Sequence, residues 1–110
     1  MTDPLDQTLT EQARAITEER ITVQDILTAT RARIGARDTA FRSVVYLPET
    51  DNPASGPLQG LPIGIKDLLD VDGQPTRCGS HAHSTTGPEG TALQRLRAAG
   101  LTQMAKLATY

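Results

Sequence analysis

The chain has 110 residues and a mass of 11.8 kDa, which is room for one small domain. Eleven basic against thirteen acidic residues give a net charge of −2, which argues against an electrostatic nucleic-acid binder because such proteins carry a basic excess. The single cysteine excludes an intramolecular disulfide framework, and no apolar run is long enough to predict a transmembrane helix.

The first twenty residues predict a polar segment followed by a short helix. Residues 1–10 hold two aspartates and no basic residue, unlike a secretory signal, so we expect a cytoplasmic protein. The opening eight residues are polar and include Pro4, which predicts a frayed end. Thr8 and Glu11 have the spacing of a capping box and predict where the helix begins.

A second helix is predicted after Thr22, a good N-cap residue with Asp25 three positions on. Apolar side chains then recur with the spacing of one buried helix face, at Val23, Ile26, Leu27, Thr30 and Ile34. Arg31, Arg33 and Arg37 stand off this stripe, and we expect them to face solvent because long cations rarely stay buried unpaired.

Residues 41–47 predict a short strand, since they are rich in β-branched and aromatic side chains. Residues 48–57 contain three prolines and predict a surface loop.

Strict alternation marks the next segment, residues 61–66, as a strand. Its apolar face consists of Leu61, Ile63 and Ile65. The opposite face holds Pro62, Gly64 and Lys66, so it carries little bulk beside a single cation. We therefore expect another part of the protein to approach the backbone closely on that side.

The remaining elements follow in short order. Asp72 and Gly73 predict a chain reversal, and the small polar residues 78–89 predict irregular structure. A third helix is predicted over 91–99, with Gly100 as its C-terminal glycine and an apolar stripe at Ala92, Leu93, Leu96 and Ala99.

Residues 101–108 predict a last strand. Met104 and Leu107 are expected in the core, and Lys106 at a strand end or facing a substrate. Because no closing turn follows this strand, we expect the chain to be the first part of a longer domain.

Lys66 is the strongest catalytic candidate, because it ends an alternating strand, where the sites of α/β folds recur. A lysine acts as a base only where burial or nearby positive charge favours its neutral amine. The structural alternative is an ion pair with Asp67 or Asp70.

Other polar residues are weaker candidates. Ser80 and Ser84 lack the flanking residues of a nucleophile, and Gly79-Ser80 predicts a turn instead. Cys78, His81 and His83 have side chains that bind metals, but no fourth ligand is in view.

The run 56–67 (GPLQGLPIGIKD) resembles the lysine-motif region of the amidase signature family. The resemblance continues at Asp70-Val71, Gly73, Pro75-Thr76 and Gly79-Ser80, and it covers about residues 20–110. It implies an α/β fold, namely the N-terminal part of the amidase signature fold, with a mixed sheet and flanking helices. This part of the fold is expected to be incomplete on its own. Residues 1–20 are then a polar segment with a short helix, and residues 21–110 the N-terminal portion of an amidase domain.

Members of that family hydrolyse or transfer linear amides with a Ser–Ser–Lys triad. The resemblance implies that Lys66 is the catalytic lysine, that the substrate is a small amide, and that no metal or organic cofactor is needed. From the net charge and the lack of a long apolar run we expect no nucleic-acid or membrane partner either. Both serines of the triad belong to a Gly/Ser-rich stretch beyond these 110 residues, so the chain alone is expected to be inactive.

Two alternatives stay open. Within the family, the chain can be part of an amidotransferase subunit that works in a complex, although the lack of basic charge favours a stand-alone amidase. Outside it, the chain can be a small autonomous binding module without catalysis, with a metal site at Cys78, His81 and His83.

Overall fold

The computed structural model describes residues 3–109. It is a mixed α/β structure, as the sequence predicts. After a 3-10 turn at Pro4–Asp6, its elements are α1 (Leu9–Thr17), α2 (Val23–Phe41), β1 (Val44–Tyr46), β2 (Pro62–Lys66), α3 (Thr91–Ala98) and β3 (Thr102–Leu107).

The prediction of a frayed start is wrong for the residues that the structure describes, although Met1 and Thr2 lie outside them. The Asp3 carboxylate accepts a hydrogen bond from the Leu5 N–H at 2.9 Å and caps the 3-10 turn. Its second oxygen accepts one from Arg33 on α2 at 2.8 Å. These contacts hold the N-terminal segment against α2.

Capping boxes begin both long helices, as predicted. At α1, the Glu11 N–H donates to the Thr8 hydroxyl and the Thr8 N–H to the Glu11 carboxylate. At α2, Thr22 and Asp25 form the same reciprocal pair, with the Thr22 N–H 2.8 Å from the carboxylate. Each box satisfies two backbone N–H groups that would otherwise lack partners.

Helix α2 is longer than the sequence predicts, and residue 41 ends it instead of beginning a strand. Ile26 and Leu27 are its buried residues. The helix continues through Gly35 and stops where Arg42 adopts a left-handed conformation with φ of 52°. Beyond that point the Asp38 carboxylate accepts the Ser43 N–H at 2.8 Å, which holds the turn into β1.

Two of the three arginines expected to face solvent are paired, so that prediction is wrong for them. Arg31 donates to the Asp51 carboxylate at 2.6 Å and to the Pro48 carbonyl at 2.7 Å, and Arg33 contacts Asp3. Arg31 thereby ties the 48–57 loop to α2, whereas Arg37 is exposed as expected.

The sheet has the order β1-β3-β2, with β1 antiparallel and β2 parallel to the central strand β3. Residues 102–106 of β3 are all buried, as is usual for a strand covered on both faces. The β2–β3 register shifts once: Ile63 is level with Gln103 and Gly64 with Ala105, so Met104 is an extra residue.

The core beneath α3 is built by Ile65, Val71 and Leu93, with Ile63 and Leu96 packed against it. The sequence predicts Ala92 in the apolar stripe of this helix, but Ala92 is exposed. Ala92 directly precedes the buried Leu93, and adjacent residues on a helix point in different directions, so Ala92 faces away from this core.

Two glycines allow the 53–60 loop to touch the turn after α3. Gly100 has φ of +100°, and a Cβ placed on it would lie 2.9 Å from the Gly56 backbone. A Cβ on Gly56 would likewise lie 2.8 Å from the backbone of Ala99. Only glycines fit this backbone-to-backbone contact.

The reversal at Asp72 and Gly73 is present, with the Gln74 N–H donating to the Val71 carbonyl at 3.0 Å. Residues 78–89 are irregular as predicted, apart from one bridge between Thr76 and Thr85. None of the helices within residues 3–109 is long and apolar enough to cross a bilayer.

Candidate active site around Lys66

Lys66 is the last residue of β2 and is exposed. The Asp67 N–H donates to the Leu107 carbonyl at 2.9 Å, which extends the pairing with β3 by one residue. The Leu69 N–H then donates to the Lys66 carbonyl at 3.1 Å, which closes a tight turn. The lysine side chain therefore leaves the sheet at the carboxyl end of a parallel strand, where α/β folds place their ligands.

The face of the sheet that carries Lys66 has less free space than the sequence predicts. A Cβ on Gly64 would lie 2.6 Å from Cδ1 of Leu107. The missing side chain at Gly64 therefore makes room for Leu107, and no second segment is needed to explain the glycine. Beside these residues lies a groove of about 280 Å³, lined also by Thr30 and Ile34 of α2.

The structural alternative for Lys66, an ion pair with Asp67 or Asp70, is not formed in the part of the chain that the structure describes. Instead, the Asp67 carboxylate lies 3.1 Å from the ammonium of Lys106. Asp67 is 2% exposed and Lys106 is 0% exposed, so this ion pair is fully enclosed. Lys66 is therefore an exposed residue, and the carboxylate of the residue that follows it in the sequence, Asp67, is already paired with Lys106.

Lys106 is the last residue but one of β3, close to the strand end that the sequence predicts, but it is fully buried and so does not face an open groove. Its ammonium donates hydrogen bonds to the Leu69 carbonyl at 2.8 Å, the Thr76 hydroxyl at 3.0 Å and the Pro75 carbonyl at 3.4 Å. These acceptors use all three N–H groups of the lysine. Asp67 Oδ1 itself accepts no aligned hydrogen bond within residues 3–109, so its contribution to Lys106 is one of charge.

Asp67 also binds the backbone of residues 77 and 78, which follow the chain reversal at Gly73. Its Oδ2 accepts the Arg77 N–H at 3.2 Å, and its backbone carbonyl accepts the Cys78 N–H at 3.0 Å. Nearby, the side-chain amides of Gln74 and Gln103 donate to each other at 2.9 and 3.1 Å. Asp67 and the Pro75-Thr76 part of the motif are thus held close together, with Lys106 in contact with both.

The sequence did not single out Asp67, Thr76 and Lys106 as one cluster. The available signal was a lysine flanked by Met104, Ala105 and Leu107 in the last strand, because such a cation must find a partner when it is buried. The identity of that partner depended on the fold, since Leu69 precedes Lys106 by 37 residues.

The weaker candidates lie apart from this cluster, on the exposed 78–89 segment. Ser80 accepts the Ala82 N–H at 3.0 Å, in keeping with the predicted turn. No group of three or more His, Cys, Asp or Glu side chains within the described part of the chain is placed to hold a metal ion. Cys78, His81 and His83 therefore do not form the metal site of the binding-module alternative.

Comparison with known proteins agrees with the lysine motif. The family model described as "Amidase" matches residues 18–109. A glutamyl-tRNA(Gln) amidotransferase subunit of Chloroflexus aurantiacus is 32% identical over an alignment that covers 97% of this chain and 25% of the relative. The chain thus spans about a quarter of the length of the curated relatives that it matches.

Solved structures give the same assignment. The chain superposes on a crystal structure of an amidase with a TM-score of 0.73 at 30% identity, covering 94% of this chain and 27% of the other. With 6-aminohexanoate cyclic dimer hydrolase the TM-score is 0.80 at 25% identity, covering 97% of this chain and 24% of the other. A family model that matches most of the chain, a shared fold and a matching lysine motif lead to one conclusion: the chain belongs to the amidase family.

Proposed function

We propose that the protein carrying this chain hydrolyses a linear amide, with Lys66 as the base that collects and returns the proton. The observation that carries this proposal is the exposed Lys66 amine at the carboxyl end of β2, whose neighbouring carboxylate, Asp67, is occupied by Lys106. A lysine held in a permanent ion pair with Asp67 would be a poor proton acceptor, because the carboxylate would favour its charged form.

The chemistry follows from the family's Ser–Ser–Lys arrangement. The nucleophilic serine attacks the amide carbonyl, and its proton passes through the bridging serine to the Lys66 amine. When the tetrahedral intermediate collapses, the carbon–nitrogen bond breaks and that proton leaves with the amine. Water then hydrolyses the acyl-serine ester, which releases the carboxylic acid and restores the enzyme.

Substitution of Lys66 in the complete protein tests the proposal. Lys66→Ala removes the amine, and Lys66→Arg keeps the charge but cannot accept a proton at neutral pH. Both variants are expected to lose at least about 10²–10⁴-fold in the rate of ammonia release from a small aliphatic amide. Arg95→Gln, an exposed change on α3, is the matched control and should turn over normally. Near-normal hydrolysis by either Lys66 variant would remove this lysine from the mechanism.

A second candidate is an amidotransferase component, favoured by the 32% identity to the glutamyl-tRNA(Gln) amidotransferase of Chloroflexus aurantiacus. In that case the acyl donor is glutamine and the released ammonia is used within a complex. Comparing ammonia release from glutamine and from simple aliphatic amides, by the protein alone, separates the two candidates. Turnover of simple amides without any partner favours the stand-alone hydrolase.

A further inference from the structure

The buried ammonium of Lys106 is a charged group that the proposed reaction leaves unused. It lies on the opposite side of the sheet from Lys66, because Lys106 is level with Ile65 and Lys66 is level with Leu107. It is therefore not a second base within reach of the same substrate. Its partners, however, are the backbone and side-chain groups of the turn that begins at Lys66.

We infer that Lys106 is a positioning residue, whose ammonium fixes the turn from Lys66 to Leu69 and so aims the Lys66 amine. This inference rests on the proposed function of Lys66. Within this turn, the Leu69 N–H donates to the Lys66 carbonyl at 3.1 Å. The carbonyl of the same Leu69 accepts a hydrogen bond from Lys106 at 2.8 Å. Both backbone polar groups of Leu69 are therefore bound, one to Lys66 and one to Lys106.

A second anchor acts on the residue directly after Lys66. The carboxylate of Asp67 lies 3.1 Å from the Lys106 ammonium, and its N–H is bound to the Leu107 carbonyl at 2.9 Å. Asp67 therefore has its backbone attached to β3 and its side chain attached to a cation on the same strand. The backbone of Lys66 is therefore held by the β2 pairing on one side and by the anchored Asp67 on the other, which leaves it little freedom to move.

The same ammonium joins this turn to the segment that returns beneath it. The Thr76 hydroxyl accepts from Lys106 at 3.0 Å and the Pro75 carbonyl at 3.4 Å. Two chain segments are thus bound to one cation that is 0% exposed. A packed methionine would fill the volume of the lysine stem, but it could hold neither segment.

Positioning by Lys106 makes a specific kinetic prediction. The Lys66 amine moves a proton in the transition state, so a misdirected amine lowers kcat more than it raises KM. A displacement of about 1 Å in a catalytic group can cost about 10²-fold in rate. We expect Lys106→Met in the complete protein to lower kcat by about this factor, with KM changed much less.

The experiment measures kcat and KM for ammonia release by the wild type, Lys106→Met, Lys66→Ala and Leu93→Ala, each well below its own melting temperature. Leu93→Ala is the stability control, because it opens a cavity in the adjacent core without touching the ammonium or its partners. Thr76→Val removes one acceptor without leaving a buried carboxylate unpaired, and it provides a test if Lys106→Met does not fold. Thr76→Val should also lower kcat, by a smaller factor than Lys106→Met.

The outcomes separate the two claims. A kcat loss in Lys106→Met or Thr76→Val that clearly exceeds that of Leu93→Ala supports positioning. Wild-type kcat in those variants, or a loss no larger than that of Leu93→Ala, overturns it and leaves Lys106 as a structural residue. If Lys66→Ala itself retains its turnover, the proposed function fails, whatever the Lys106 variants do.

Discussion

Lys66 and Lys106 lie on neighbouring parallel strands, one step apart in register, and their side chains leave opposite faces of the sheet. They are the only two lysines of the chain. One is exposed at the end of β2, and the other is fully buried and linked to Asp67. The buried lysine thus pairs with the carboxylate of the residue that directly follows the exposed lysine in the sequence.

This difference in burial predicts a difference in chemical reactivity. An amine-acylating reagent should modify Lys66 of the native protein much faster than Lys106, whose ammonium is enclosed and uses its three donors internally. Mass spectrometry of the two lysine peptides provides the measurement, and the same reaction in denaturant, where both lysines should react alike, is the control. Comparable modification of Lys106 in the native protein contradicts the buried site.

The ion pair predicts a strong coupling in stability. Lys106→Met should cost about 3–5 kcal/mol in the free energy of unfolding, because the buried Asp67 carboxylate loses its counter-charge. Adding Asp67→Asn should recover part of that loss, with a coupling of about 0.5–3 kcal/mol. Urea unfolding of the two single variants and the double variant measures both quantities.

The exposed pair of Arg20 and Glu18 is the matched control for that cycle, with both side chains about half exposed. Glu18→Gln should change the free energy of unfolding by no more than about 1 kcal/mol, since solvent screens such pairs. A strictly additive result for Lys106→Met and Asp67→Asn would mean that the buried charges do not act on each other.

Two glycines should respond oppositely to the same substitution. Gly100→Ala should destabilise the protein by about 1–3 kcal/mol, because φ is +100° and the new Cβ would meet the Gly56 backbone at 2.9 Å. Gly35→Ala should stabilise it by about 0.5–1 kcal/mol, because Gly35 is exposed within α2 and nothing lies within 4 Å of its missing Cβ. Thermal unfolding of both variants decides the sign, and a stabilising Gly100→Ala would contradict the close contact.

Two carboxylates near the ends of α2 predict a loss of stability in acid. The backbone N–H and the hydroxyl of Thr22 hold the pKa of Asp25 below its ordinary value of 3.8. Burial raises the pKa of Asp38, but the N–H groups of Val44 and Ser43 outweigh it and leave this pKa below 3.8 as well. Both groups bind protons less readily in the folded than in the unfolded state, so their stabilising contribution is present above pH 3.8 and is lost as the pH falls through the lowered values.

The double variant Asp25→Asn, Asp38→Asn tests this dependence. Its urea midpoint at neutral pH should be below that of the wild type, and the fall on acidification below pH 3.8 should be shallower. An equally steep fall in the variant would show that other carboxylates carry the acid sensitivity.

Local features of the fold could be predicted from the sequence because they depend on neighbours in the chain. The capping boxes at Thr8 and Thr22 join residues three apart, and the alternation at 61–65 follows the period of a strand. The end of α2 could not be placed in this way. The apolar stripe of this helix stops at Ile34 and residues 41–47 predict a strand, whereas the contacts of Asp38 with Ser43 and Val44 place the end of the helix later.

In the candidate site, too, the features set by neighbouring residues could be predicted from the sequence, and those set by distant contacts could not. The short motif around Lys66 identifies the family, and the comparisons confirm that assignment, while the catalytic role of Lys66 and the division at residue 20 stay predictions. The partners of Lys106 could not be predicted because they are 30 or more residues away in sequence. A burial pattern read from sequence reports which face a side chain occupies, but not which carboxylate it will meet there.

The strand order also has a consequence for biosynthesis. Of the three strands, β3 is made last, yet it lies in the middle and provides every hydrogen-bonded neighbour of β1 and β2 within the described sheet. On the ribosome, the two earlier strands therefore emerge without partners and wait until residues 102–107 have left the exit tunnel. During that interval α1 and α2, whose caps are local, are the elements able to form, and the turn beneath Lys66 acquires its anchoring ammonium only when the last strand arrives.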